Sequence, residues 1–105
     1  MIRHVALFDL RDGADIAEIE EAFAIIRQLE PGIRDATWGP DAGLREGNAG
    51  YTSVWDFVDE AAYRAWDAHP EHERVRRELI LPNIEGVHRG QFRIDPTTPA
   101  VPPDY

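Results

Sequence analysis

His69-Pro70-Glu71-His72 places two imidazoles and a carboxylate within four residues. Proline at the first helical position costs no hydrogen bond, so a helical segment is predicted to begin at Pro70. That start makes His72 a first-turn residue. Counting on along the helix reaches Val75 and Leu79, so His72 shares the apolar stripe that faces a core. A histidine so placed is either packed core or chemistry. Beside a substrate carbonyl, a neutral imidazole can take an acidic proton from carbon, provided that a donor steadies the enolate and the pocket is apolar. The positive end of the helix dipole disfavours imidazolium, and burial pushes the same way.

His4 is the natural partner. It alternates with Ile2, Ala6, Phe8 and Leu10 on one face of an opening strand, and if that face looks at the helices it could orient His72 or bind a substrate oxygen. The competing reading is a buried, hydrogen-bonded His4–His72 pair that fixes a helix onto the first strand. His69, cut off by Pro70, is expected to face solvent. His88 shares parity with Phe92 and Ile94 on the last strand and is a candidate cavity residue. Phe8, Phe23 and Trp66 are candidate substrate-binding walls, although these aromatics, with Trp55 and Phe57, are most simply core.

His69-x-x-His72 has a spacing that can ligate zinc on a regular helix, with Glu71, Glu73 or His88 nearby. Pro70 spoils that geometry, and the expectation is a pocket without metal or cofactor. No glycine-rich strand-to-helix turn offers a phosphate cradle, and Gly43 to Gly50 reads as a hairpin connection. The charges from Glu71 to Glu78 read as a solvated face with intrahelical pairs.

These residues need a scaffold. The 105-residue chain suffices for one domain, expected over residues 1–95, with a Pro-rich tail at 96–105. Its formal net charge of −9 argues against nucleic acid or an anionic membrane as partner. The absence of cysteine excludes disulfides and thiolate chemistry. The opening residues read as a strand rather than a signal peptide or membrane helix, which suggests the cytoplasm.

Strands are predicted at Ile2–Leu10, Ile33–Trp38, Tyr51–Phe57 and Gly86–Ile94. Asp15, three residues before Glu18, caps a helix carrying Ile16, Ile19, Phe23, Ile26 and Leu29. Asp59 caps a second helix carrying Tyr63 and Trp66, which breaks at His69-Pro70 and resumes to about Leu81. The order βαββαβ is an α+β, ferredoxin-like arrangement, a four-stranded antiparallel sheet with two helices on one face. Val5, Leu7 and either Thr52-Val54 or Tyr51-Trp55-Phe57 would then look outward, so a homodimer packed sheet to sheet is expected.

Met1-Ile2-Arg3-His4-Val5 with Leu7-Phe8, the Tyr51 to Phe57 strand, and Tyr63 leading into His69-Pro70-Glu71-His72 resemble the stress-responsive α/β-barrel (Dabb) family over nearly all of Met1 to Ile94. The resemblance implies a ferredoxin-like fold whose homodimer closes an α/β barrel. It does not imply one reaction, since members range from plant stress-associated proteins to a polyketide cyclase using aldol chemistry. Carried over from that cyclase, the resemblance makes His72 the general base, with His4 in the site. The cyclase has a tyrosine where this chain has Trp66, whose indole lacks an ionisable hydroxyl. Tyr63, one turn earlier, is the candidate replacement. Two readings stay open: a cofactor-free lyase, cyclase or isomerase acting on a small apolar or aromatic (polyketide-like) carbonyl compound, and a non-catalytic dimeric binding or stress-associated protein.

Overall fold

In the computed structural model, residues 1–94 are described, and the expectation for segment 96–105 lies outside them. The elements are β1 (Ile2–Leu10), α1 (Ile16–Ile26), β2 (Ile33–Pro40), β3 (Tyr51–Phe57), α2 (Glu60–Asp67), α3 (Pro70–Val75) and β4 (Ile84–Arg93). They form one antiparallel sheet of order β2-β3-β1-β4, the ferredoxin-like arrangement that the alternation of strands and helices predicts.

Local signals set most boundaries. The Asp15 side chain accepts the Glu18 N–H at 3.2 Å, and Asp59 accepts that of Ala62 at 2.8 Å, so both predicted caps form. α1 stops at Ile26, before the predicted Leu29. β2 runs on through Gly39 and Pro40, which an edge strand tolerates because proline's missing N–H can face away from the ladder. β4 begins at Ile84 rather than Gly86, and ends at Arg93.

Register sorts the faces. Ile2, His4, Ala6 and Phe8 pair with Phe57, Trp55, Ser53 and Tyr51 in turn, so of the two β3 sets, Tyr51-Trp55-Phe57 looks inward and Thr52-Val54 outward. Ile19, Ala22, Phe23 and Ile26 of α1 close over the inner face, joined by Ala62 and Trp66 of α2. The Trp66 indole N–H donates to the Ile26 carbonyl at 2.9 Å, tying α2 to the end of α1.

After α3 the chain makes a π-helical turn at Arg76–Ile80 and a 3-10 turn at Leu81–Asn83. The wider turn breaks the simple helical count. Ile80 therefore takes the buried place (4 % exposed), and Leu79, expected on the stripe with His72, is only partly buried. Asn83 Nδ2 donates to the Leu79 carbonyl at 2.8 Å and to Glu18 at 3.1 Å, securing the turn to α1.

The outer face carries Val5, Val54, Leu7 and Phe92, the last two 41 % and 53 % exposed. Arg3 grips the buried Asp56 carboxylate there with two hydrogen bonds of 2.7 and 2.8 Å. No described helix is long and apolar enough to cross a membrane.

Candidate functional site

Pro70 decides the geometry of His72. In an unbroken helix the Trp66 carbonyl would accept the N–H of the residue four positions on, but that residue is Pro70, which has none. The released carbonyl instead lies 2.8 Å from His72 Nδ1. A carbonyl only accepts, so Nδ1 carries the proton. On the ring's other side Arg76 Nη2 donates to Nε2 at 3.2 Å. Both contacts select one tautomer, with the proton on Nδ1 and the lone pair of Nε2 accepting from Arg76.

His69 is not simply solvent-facing. It is half-buried, and its Nδ1 accepts the Glu71 N–H at 3.0 Å, making it the N-cap of α3. With His69 capping and His72 facing the core, the two imidazoles serve separate tasks. Among the described residues no three His, Asp or Glu side chains are placed to hold a metal ion.

His72 is 3 % and His4 7 % exposed. Both line a cavity of about 120 Å³ between the sheet and the helices, as do Tyr63, Trp66, Phe8 and Phe23. Trp66 stands between the imidazoles, its ring 4.1 Å from His72 and 5.7 Å from His4, centroid to centroid. His4 therefore neither orients His72 nor forms the expected hydrogen-bonded pair with it: the Trp66 carbonyl does the orienting. Gln91 Nε2 donates to His4 Nδ1 at 2.9 Å, which leaves the proton of neutral His4 on Nε2. Of the two cavity-lining imidazoles, one thus has an unprotonated Nε2 that accepts from Arg76, and the other carries its proton on Nε2.

Burial is the main cause that lowers both imidazoles to about 4. The nearby Arg89 charge adds to it at His4, whereas at His72 the Trp66 carbonyl opposes and Arg76 reinforces the shift. Both rings are therefore neutral near pH 7, and burial rather than the dipole of the short α3 is the dominant reason. Tyr63, 5.5 Å from His4 between ring centroids, is raised by burial and keeps its phenolic proton as a donor. Trp66 contributes a wall and a carbonyl, since its indole N–H is already committed to Ile26.

His88 does not reach this cavity. It pairs with Leu7 on the outer face, and its neighbours Val87 and Arg89 line the cavity instead. The extra start of β4 does not alter this parity, because His88 sits opposite an outward residue of β1. Arg76, read from sequence as part of a solvated face, also reaches inward. It pairs with Asp67 at 3.1 Å and Glu73 at 3.0 Å while touching His72. Its place four residues after His72 was the available signal. Ser53 and Arg89 also line the cavity, placed there by strand pairing, which the sequence does not display.

Residues 2–90 match the stress responsive A/B barrel domain. The chain belongs to this family. A structure from Thermobifida fusca, described as a dimeric ferredoxin-like protein of unknown function, is 29 % identical, covers 89 % of this chain and 90 % of its own, and has a TM-score of 0.73. Hydroxynitrile lyase from Passiflora edulis is 18 % identical with a TM-score of 0.75, covering 93 % of this chain and 96 % of its own. SnoaB, a cofactor-independent oxygenase from Streptomyces nogalater, is 20 % identical with a TM-score of 0.72, covering 94 % and 97 %. These last two likenesses show a shared fold. Among curated protein sequences none matches the chain.

Two consequences can be measured. The unfolded chain protonates its histidines near pH 6.5, whereas folded His4 and His72 wait until about 4, so between those values the unfolded state binds more protons. Stability present in full above pH 6.5 is therefore lost as pH falls toward 4, by at most on the order of 3 kcal/mol per imidazole. Urea unfolding at pH 7 and pH 4.5 should show a smaller difference for a His4→Gln, His72→Gln double variant than for the parent. Pro70→Ala, in turn, supplies an N–H that competes for the Trp66 carbonyl. Imidazole ¹⁵N spectra should then show His72 losing its uniform Nδ1–H form, and an unchanged tautomer would contradict the proposed role of the proline.

Proposed function

We propose that this stress responsive A/B barrel domain is a cofactor-independent lyase, cyclase or isomerase acting on a small carbonyl compound. One observation carries the reading: a buried, cavity-lining imidazole is held neutral and in a single tautomer, its unprotonated Nε2 accepting from Arg76, which lines the same cavity. His72 Nε2 takes a proton from the carbon beside the substrate carbonyl. The electron pair moves onto the oxygen as an enolate, which the His4 Nε2–H or the Tyr63 hydroxyl steadies. A carbon–carbon bond then forms or breaks, or the double bond shifts, and the imidazolium returns its proton to the product.

A group lowered to about 4 is a weak base in the resting cavity. Its basicity rises as the reaction proceeds, because the new enolate charge lies beside the new imidazolium. Arg76 fits this sequence: the substrate's acidic carbon displaces it from Nε2, and its guanidinium then faces the developing negative charge. The similarity in fold to a hydroxynitrile lyase and a cofactor-independent oxygenase supports the reading, as architecture that accommodates such chemistry in those proteins.

Solvent deuterium incorporation beside the carbonyl of a panel of single-ring ketones, followed by NMR at pH 7, tests it. The wild type should accelerate exchange, and His72→Gln should lose about 10²–10⁴-fold with circular dichroism unchanged. The rate should hold from pH 7 downward and fall as pH passes through about 4, where Nε2 takes its proton. Exchange by His72→Gln at the parental rate excludes His72 as base. Ligand binding with no turnover by either protein favours the non-catalytic binding role.

The same reading includes a second copy of the chain on the outer sheet face, where Leu7 and Phe92 are exposed. The Thermobifida fusca protein is described as dimeric, which supports it. Leu7→Glu places charge in the middle of that apolar face, and sedimentation should show twice the 11.9 kDa chain mass for the wild type and a single chain for the variant.

A further inference from the structure

Ser53 is 1 % exposed, and its hydroxyl is the one buried side-chain polar atom among the described residues without a hydrogen-bond partner. A buried hydroxyl with no partner bears the full cost of leaving water, and native proteins rarely leave one so without reason. This hydroxyl belongs to a cavity-lining residue. A ligand entering the cavity can supply its partner.

Register shows what stands opposite. Ser53 on β3 pairs with Ala6 on β1, and Ala6 pairs with Arg89 on β4. Three side chains therefore form one row across the inner face, with Ser53 and Arg89 two strand spacings, about 10 Å, apart at the backbone. Ala6 between them contributes only a methyl group, and its same-face neighbours along β1 are His4 and Phe8. The row is a shallow seat with a hydroxyl at one end and a guanidinium at the other.

Arg89 lines the same cavity, and its charge acts on both His4 and Tyr63. The other cavity arginine, Arg76, is held by Asp67 and Glu73, whereas Arg89 makes no ion pair or side-chain hydrogen bond among the described residues. The cavity volume of about 120 Å³ is a little below that of an apolar cavity, about 150 Å³, that takes benzene, so one ring is the most it holds, with the carboxylate at the solvent-exposed Arg89 end.

We propose that the Ser53–Ala6–Arg89 row recognises a ring-sized aromatic acid, with its carboxylate on Arg89, its ring over Ala6 between His4 and Phe8, and a hydroxyl or carbonyl oxygen at its far end hydrogen-bonded to Ser53 Oγ. This names a substrate class for the cavity and rests on the cavity being the ligand site. It does not require that His72 be catalytic.

Calorimetric titration with 4-hydroxybenzoate, benzoate and phenol separates the two ends. Wild-type protein should bind 4-hydroxybenzoate about tenfold more tightly than benzoate. Ser53→Ala should erase that preference while leaving benzoate affinity unchanged. Because the substitution removes an unpartnered buried hydroxyl, the ligand-free variant should melt no lower than the parent, whereas a structural role for Ser53 predicts a loss. Arg89→Gln should weaken both acids at least tenfold and leave phenol untouched. Equal binding of 4-hydroxybenzoate and benzoate, an equal loss for both in Ser53→Ala, or no binding of any of the three compounds overturns the proposal. Ketone exchange that still depends on His72 would leave the catalytic reading standing after such a failure. Binding as described without exchange would do the reverse.

Discussion

A hydrogen that proline does not have organises this site. Because Pro70 cannot donate to the Trp66 carbonyl, that oxygen keeps a 3.3 Å contact from the His69 N–H and takes the Nδ1–H of His72 as well. The direction of the imidazole and its tautomer follow from that bond, and Nε2 is thereby left as the acceptor that Arg76 meets. The same break lets His69 cap α3, so the residues on either side of the proline serve structure and site separately.

The aromatic core makes that bond consequential. Trp66 packs against His72 while its indole is tied to Ile26 across the helix layer, so the carbonyl that orients His72 belongs to a residue anchored at both its side chain and its backbone. The surrounding rings remove water from His4 and His72, and the loss of hydration keeps both uncharged near neutrality. Two neutral imidazoles would be redundant if their protons were alike. Trp66 and Gln91 assign those protons oppositely, so one ring can accept while the other donates.

Charge enters this apolar site at its margin. Arg76 comes in from the π-helical turn, already restrained by two carboxylates, and Arg89 comes in from β4. Both lower the basicity of a neighbouring imidazole, and under the proposed function both would favour an anion in the cavity. The lowered basicity of the imidazoles and the nearby cations are thus two aspects of one electrostatic arrangement.

Much of this was legible in the residues. Alternation in Ile2–Leu10 put His4 on the inner face, the caps at Asp15 and Asp59 started the helices, and Pro70 marked the break that brings His72 inward. Periodicity and capping are local, so a linear chain displays them. Pairing is not. Strand register turned His88 outward and brought Arg89 and Ser53 inward, and the π-helical turn moved Ile80 into the place expected of Leu79. The sequence by itself determined which segments fold and which histidine follows the proline. Only the tertiary structure decided what each side chain meets, because burial, tautomer and charge at His72 depend on Trp66, Arg76 and a sheet whose strands find one another across most of the chain.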